Sequence, residues 1–386
     1  YSQMRVLRGI VHAPTMTPDG RIIQRPGYDD ATGLFYQPST MFPPIPETPT
    51  AQDVASALDT LWRPFRSYNL PTDTDRAVLV AALLTAAVRK TLPTAPAIAV
   101  SAVQAGSGKT RMASSIAAMT CGRDVPAGQW PSRRDEIQKT VLGYLLGMPP
   151  AIMFDNLEST VESDTLAAVL TSPEYSARKL QASYTPTVQT NTLFLFTGNN
   201  VQVSGDLNRR VLRINITPPG IDAHAVRFDF DPLIETVRNW SGMVSAAITL
   251  MKAYICTGAP TQGGTPFGSF EIWCRMVRDC VMWLEFTDPV AVIADNYADD
   301  DEAAMLTAVM DLWERTYRDA DVRPTDIAVT WNSAFGDEIK QVIGRTDLTV
   351  KAFTHWLGRF KDRPVNGRRF IKERTRAGGF YKLQQI

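Results

Sequence analysis

Hydrophobic positions along the chain change their period, and each period predicts a different element. Val54, Leu58, Leu61 and Phe65 recur at helical spacing behind Thr50, which predicts a capped helix running to about Tyr68. From about Thr74 to Lys90 the pattern is apolar on nearly every side, so a second helix is expected inside a core. Short apolar runs follow at residues 97–103, 150–154, 192–197 and 211–216, with helical stretches between them. Apolar strands alternating with helices predict an α/β fold whose parallel sheet is covered on both faces. Residues 232–285 read as helices broken between Gly258 and Gly268. Beyond them, three helices precede a hairpin with Gly378-Gly379 at its tip. The first 50 residues show mainly turn signals, at Pro18-Asp19-Gly20, Pro26-Gly27 and Pro43-Pro44-Ile45-Pro46, and read as an irregular lead-in with room for one hairpin.

Composition narrows the class. At 386 residues, 44% hydrophobic and 21% charged, the chain is neither disordered nor fibrous. Its longest apolar stretch, residues 77–88, has 12 residues, against the ~20 that a membrane span needs. No signal peptide is visible and the chain begins at Tyr1, so a soluble, cytoplasmic piece of a longer protein is expected. Cys121, Cys256, Cys274 and Cys280 form no CxxC pair, and His12, His224 and His355 stand at no metal-ligand spacing. Zinc, haem and iron–sulfur chemistry are thereby disfavoured. The 40 basic and 40 acidic residues cancel. Locally they do not: residues 281–314 carry nine acids and no Lys or Arg, while residues 351–386 carry ten Lys or Arg against Asp362 and Glu373. Such a tail suits a polyanion.

The sharpest chemical signal is Gln104-Ala105-Gly106-Ser107-Gly108-Lys109-Thr110, placed behind an apolar run and ahead of a helix over residues 111–119. That context defines a P-loop: glycines let the backbone wrap a phosphate, Lys109 reaches the β- and γ-phosphates, and the Thr110 hydroxyl binds Mg²⁺. ATP and Mg²⁺ are the ligands it implies. Val103 stands where the usual pattern begins with glycine. Ile152-Met153-Phe154-Asp155, 46 residues beyond Lys109 at its end, is a hydrophobic strand ending in the carboxylate expected to hold Mg²⁺. Asn156 follows in a place where a catalytic glutamate is common, so the base is sought in Glu136 or Glu158. The run 193–197 ends in Gly198-Asn199-Asn200, and Asn199 there can orient the attacking water. Arg209 and Arg210, in Gly205-Asp206-Leu207-Asn208-Arg209-Arg210, offer an arginine finger.

Together these stretches resemble the ATPase core of superfamily 3 and related AAA+ DNA helicases, and more closely the helicase half of primase–helicase proteins from bacteriophages and integrative elements. Pro26-Gly27-Tyr28-Asp29 with Thr32-Gly33-Leu34, and Gly268-Ser269-Phe270-Glu271 with Trp273 and Val277-Arg278-Asp279, are similar to that group as well. The resemblance implies an AAA+-like P-loop NTPase working as a homo-oligomeric ring, usually a hexamer, that loads on single-stranded DNA and unwinds forked duplex. It also implies a primase or primase–polymerase domain upstream, and work in the cytoplasm of a bacterial host cell. On this basis the chain is expected to divide into a lead-in (1–50), a small helical region (51–92), the ATPase core (93–230), a helical subdomain (231–300) and a basic, winged-helix-like DNA-binding domain (301–386). In such helicases a hairpin between the two carboxylate- and sensor-bearing strands enters the ring channel; here that interval holds Arg178, Lys179 and Tyr184. In the tail, Thr349 is expected to cap a helix with Phe353, Trp356, Leu357 and Phe360 inward, and Arg368, Arg369 and Lys372 of the hairpin are the expected DNA contacts. An ATP-switched origin-binding initiator or loader that does not unwind is the alternative.

Overall fold

Thr50 and Thr72 each open a helix through a reciprocal capping box. Thr50 Oγ1 accepts from Asp53 N while the Asp53 carboxylate takes Thr50 N, starting α1 (Ala51–Trp62). Thr72 and Asp75 do the same for α2 (Asp73–Val88). Pro64 ends the first helix in a 3-10 turn, Arg63–Phe65. The computed structural model describes residues 5–102, 106–131, 133–157, 161–178, 184–199, 201–217, 230–264, 267–298, 301–362, 365–375 and 378–385. The chain forms two compact units, Tyr1–Asn296 and Tyr297–Ile386.

The lead-in is more ordered than its turn signals predict. Five short strands, β1 (Gly9–Val11), β2 (Thr15–Met16), β3 (Ile22–Ile23), β4 (Gly27–Asp29) and β5 (Leu34–Tyr36), form a sheet in the order β1-β5-β4 and a separate β2-β3 pair. Runs of two or three residues are too short to register as an alternating pattern. Asp29 pins the turn between β4 and β5 by accepting from Thr32 N and Thr32 Oγ1, and it takes both amino groups of Arg21. The Arg21 hydrogen bonds hold its carboxyl down to about 2.

The main sheet joins β6 (Ala97–Ala102), β7 (Ala127–Gly128), β8 (Ala151–Leu157), β11 (Leu193–Asn199) and β12 (Val211–Ile216). All are parallel, in the order β12-β6-β11-β8-β7. Between β8 and β11 the chain makes α5 (Asp164–Thr171) and an antiparallel hairpin of β9 (Glu174–Ser176) with β10 (Thr187–Gln189). Helix α3 (Lys109–Met119) lies across β6, β8 and β11, and α4 (Arg134–Leu145) leads into β8. Every residue of β6 is buried, as the unbroken apolar run requires of a central parallel strand. Phe154 and Phe196 stack at 5.7 Å, with Trp130 edge-on to both. At the opposite end of β11, the buried Arg89 donates to the carbonyls of Leu92, Thr190 and Thr192.

Helices α6 (Pro232–Arg238), α7 (Trp240–Cys256), α8 (Glu271–Trp273), α9 (Asp279–Trp283) and α10 (Val292–Ala298) complete this unit, with a π turn, Cys274–Arg278, between α8 and α9. Trp273 is fully buried and its indole N–H donates to Thr85 Oγ1 of α2 at 2.8 Å. Buried Arg278 pairs with Asp288. One continuous hydrophobic cluster runs from Met16 through α1, α2 and the sheet to Val292.

The second unit holds α11 (Asp301–Tyr317), α12 (Pro324–Thr330), α13 (Ala334–Ile343), α14 (Val350–Arg359) and the antiparallel pair β13 (Arg368–Thr375) and β14 (Gly378–Gln385). Trp313, Ile327, Phe353, Leu357, Phe370 and Tyr381 are its core. Thr349 caps α14 through Ala352 N, as its position predicts. Gly378 and Gly379 pair with Thr375 and Arg374, so they begin β14 instead of forming the tip. Among the described residues no helix is long and apolar enough to cross a membrane.

Asp75 is the polar joint of the first unit. One carboxylate oxygen closes the cap of α2, and the other accepts Asn215 N at 2.7 Å and Asn215 Nδ2 at 3.2 Å in β12. Asp75→Ala removes the reciprocal half of the capping box and leaves the part-buried Asn215 N–H without its acceptor. It should lower the unfolding free energy by roughly 2–4 kcal/mol, measured by urea denaturation, and Asp75→Asn should recover part of the loss. A change within about 0.5 kcal/mol, the range of an ordinary surface substitution, would show that the joint bears no load.

Candidate functional site

The glycine loop leaves β6 and enters α3 without a spacer. Gly106 and Gly108 hold φ values of 80° and 85°, a region that costs glycine nothing and strains a side chain. Gly108 is the N-cap of α3, so Lys109 and Thr110 open the helix whose free N–H groups carry its positive end. Tyr68, from the α1–α2 connection, donates its hydroxyl to the Gly108 carbonyl at 3.0 Å. Burial pushes this phenol well above its usual range. Nothing in the sequence around Tyr68 marks it, because its partner lies 40 residues downstream.

Three neighbouring strands bring the other groups in. Lys109 Nζ donates to Asn199 Oδ1 at 2.8 Å and to Ser107 Oγ at 3.4 Å. Burial lowers the Lys109 pKa, and the negative charge of Asp155 works against that shift. Thr110 Oγ1 donates to Asp155 Oδ1 at 2.9 Å. Thr197, which the motif reading passed over, donates its hydroxyl to the same Asp155 oxygen and accepts Asn156 N at 3.2 Å. Lys109, Thr110, Asp155 and Asn199 therefore meet, as their spacing predicts.

A bulge explains how Asp155 and Asn156 fit here. Phe154 pairs with Phe196, yet Leu157 pairs with Gly198, so two residues of β8 stand opposite Thr197 alone. Asn156 takes the left-handed conformation that the bulge demands, at φ 54°, which asparagine tolerates better than most residues. Gly198 is obligatory for a different reason: a Cβ there would lie 2.7 Å from the Leu157 carbonyl oxygen.

Other expected residues lie elsewhere. Glu136 sits in the first turn of α4, where its carboxylate takes Lys139 Nζ at 2.7 Å. Arg209 and Arg210 both pair with Asp206, at 2.8 and 3.0 Å. Burial raises the Asp206 pKa, but the Arg210 hydrogen bond and the two cations outweigh it and hold the carboxyl below its usual range. The β9–β10 hairpin presents an exposed Arg178 and an exposed Tyr184 at the ends of its connecting loop. Gln104, Ala105, Glu158 and Lys179 lie outside the described residues.

In the second unit the expected DNA contacts differ in their surroundings. Arg368 is only 12% exposed, and its guanidinium is held by Asp311 at 2.6 Å and Glu314 at 3.0 Å on α11. It fastens the hairpin to α11 of its own domain. Arg369 donates across the hairpin to Gln384 at 2.9 Å, and the exposed Lys372 lies 5.0 Å from the Tyr381 ring centre.

Chemically, an ammonium beside a helix N-terminus and a left-handed glycine loop suits a phosphate chain. A hydroxyl sharing one oxygen of a carboxylate supplies the hard oxygen ligands that Mg²⁺ takes. The donor set fits both.

No family model matches the chain, and no curated protein matches it. Among solved structures it is similar to the apo A form of the NrS-1 C-terminal region, at 10% identity and TM-score 0.39, over 93% of this chain and 84% of that one. It is also similar to JCV helicase, at 14% identity and TM-score 0.31, over 64% of this chain and 66% of that one.

Gly198→Ala tests the packing behind the site. The added methyl has only the Leu157 backbone, Leu157 Cβ and Val201 to push against. Overpacking of this kind should cost roughly 1–3 kcal/mol in urea unfolding, whereas Gly143→Ala, inside α4 with open space around its Cβ position, should cost nothing.

Proposed function

We propose that this chain is an ATP-dependent replicative DNA helicase of a phage or mobile element, acting as a homo-oligomeric, hexameric ring on single-stranded and forked DNA. The observation that carries this is the convergence of Lys109 with Asn199, and of Thr110 and Thr197 with Asp155, at the carboxyl ends of adjacent parallel strands. Ligands of open parallel sheets bind at that edge. In this reading residues 104–110 wrap the phosphates, Lys109 neutralises the β- and γ-phosphate charge, and Thr110 and Asp155 hold Mg²⁺, which would screen the transferring phosphoryl group. Asn199 leaves its hydrogen bond with Lys109 to orient the attacking water. Glu136 has to part from Lys139 before it can act as base; Glu158 is the other candidate.

Arg178, Lys179 and Tyr184 on the hairpin would meet the single strand in the channel. The second unit is read as a winged-helix-like DNA-binding domain, supported by its helices, its hairpin and the short antiparallel bridge from Val322 to Tyr381. A primase domain upstream completes the proposal. The alternative is an ATP-switched initiator or loader that binds an origin and does not unwind; Asn156 in place of a carboxylate favours a third reading, a binding module whose P-loop has lost hydrolysis.

Strand displacement on a forked substrate, with ATP against a non-hydrolysable analogue, separates helicase from initiator. Lys109→Ala and Asp155→Ala should each abolish turnover and displacement while the far-UV spectrum is kept. Near-normal turnover in either variant would remove the P-loop assignment. Turnover without displacement in the wild type would establish the initiator.

Exposure distinguishes the two arginines. Arg210 is 13% exposed and bonded to both the Asp206 carboxylate and the Asp206 backbone carbonyl, whereas Arg209 is 56% exposed. Arg209 is therefore assigned as the finger that reaches a neighbouring protomer. Arg209→Ala should lower turnover by about 10³-fold or more and regain part of it when mixed with Lys109→Ala protomers. Arg210→Ala should instead lower the melting temperature. Rescue confined to Arg210→Ala would reverse the assignment.

A further inference from the structure

Two neighbouring cations at the end of α2 have no counter-charge. Arg89 is 2% exposed, and its guanidinium meets the carbonyls of Leu92, Thr190 and Thr192. Lys90, part-buried beside it, donates to the carbonyls of Pro149 and Met148 at 3.1 and 3.3 Å and to Asn191 Oδ1 at 3.4 Å. These contacts lie at or beyond the long end of the range for N–H···O bonds. Burial, and then the charge of Arg89, pull the Lys90 pKa down to about 7. Among the described residues no carboxylate forms an ion pair with Arg8, Arg89 or Lys90. A buried charge normally has an opposite charge against it, and here the packing supplies none.

The pair stands at the amino ends of the main strands, opposite the glycine loop. Leu92 leads towards β6, Met148 and Pro149 into β8, and Thr190 and Thr192 into β11. Here a groove of about 220 Å³ is bordered by Arg8, Thr32, Lys90, Thr91, Gln189 and Asn191. Arg8 is exposed. Gln189 and Asn191 each commit one amide hydrogen, to Glu174 Oε1 at 2.8 Å and to the Lys90 carbonyl at 3.3 Å, and each has a second N–H to give. Acids on the elements around the groove are engaged elsewhere: Asp29 by Arg21, Asp30 by Arg5 and Glu174 by Gln189.

We propose that this groove is a second binding site, for a phosphate group, with Lys90 and Arg8 as its charged contacts and the amides of Gln189 and Asn191 beside them. Arg89 lies too deep to touch the ligand and acts through its charge. The donors come from three separate segments: the strand entering β1, the end of α2 and the β10–β11 connection. They therefore surround an anion instead of lying in one plane, which suits a tetrahedral oxyanion better than the flat, bidentate geometry of a carboxylate. Several cations that share no acid suit a multiply charged anion. A free phosphate and one at the end of a DNA strand present the same oxygens to these groups. Because the groove lies at the opposite strand ends from Lys109, it can fail separately from the ATP and helicase readings.

The test uses the full chain carrying Lys109→Ala, which removes the ammonium of the glycine loop as a competing site. It is titrated calorimetrically with inorganic pyrophosphate at neutral pH. Adding Lys90→Met should weaken binding about 10-fold or more, the worth of a charge-assisted hydrogen bond. The melting temperature should hold, because an uncompensated cation leaves the fold. Arg8→Gln should weaken binding about 3-fold, as for an exposed contact, and it carries the test alone if Lys90→Met unfolds. A 5′-phosphorylated tetranucleotide that binds more tightly than pyrophosphate, and loses that advantage without its 5′-phosphate, assigns the groove to a strand end; the reverse order assigns it to a free phosphate. Pyrophosphate binding that is absent, or unchanged by both substitutions, overturns the proposal. In that case a lower melting temperature for Lys90→Met would make the lysine a clamp on the Met148 and Pro149 carbonyls. Succinate competing as well as pyrophosphate also overturns it, in favour of a carboxylate.

Discussion

The position of β11 between β6 and β8 is the constraint on which the rest of the site depends. Adjacent strands lie about 4.8 Å apart, so side chains at their carboxyl ends meet only if the strands are neighbours in the right register. Lys109, just beyond β6, reaches Asn199 at the end of β11, and Thr197 of β11 reaches Asp155 of β8. Were β6 and β8 paired directly, Asn199 would lie on the far side of Asp155 from Lys109. The register is held from below by the stacked Phe154 and Phe196 under Trp130, and from the far end by Arg89 on the carbonyls of Thr190 and Thr192. The one-residue bulge at Asp155 and Asn156 then sets how far the carboxylate projects.

Burial on both faces of that sheet ties distant parts of the chain to the site. Helix α2 has no polar face because it is surrounded, and its few polar groups serve as joints. Asp75 bonds to Asn215 in β12 at its start, and Thr85 takes the indole of Trp273 from 188 residues away. Tyr68, just ahead of this helix, reaches the Gly108 carbonyl at the N-cap of α3. The Gly-Ser-Phe-Glu and Val-Arg-Asp stretches thus contribute packing: Phe270 and Trp273 are fully buried, and Arg278 is spent on Asp288. A shift of the segment that carries Tyr68 would be felt at the loop, which is the physical route by which residues outside the core strands can influence it.

What the sequence reveals about the site follows from how local each signal is. The glycine loop, Asp155 and Asn199 are legible because each sits at the end of an apolar run, and a strand tip has one direction to point. The helices beginning at Thr50, Thr72 and Thr349 are legible because a cap and its partner lie three residues apart. Thr197 is invisible because its hydroxyl matters only once the bulge of a neighbouring strand is placed against it. The lead-in strands are too short to alternate. Arg368 reads as a DNA contact in a basic run, and only the fold discloses that α11 brings Asp311 and Glu314 to it.

That last exchange also resolves the charge asymmetry of the chain. An acidic stretch followed by a basic one suggests two separate partners, but part of each is consumed by the other inside the second unit. Asp311 and Glu314 take Arg368. Exposed ion pairs of this kind add little stability, yet Arg368 is nearly buried, and leaving it there uncompensated would be costly. Its two acids are therefore a requirement of the hairpin's packing.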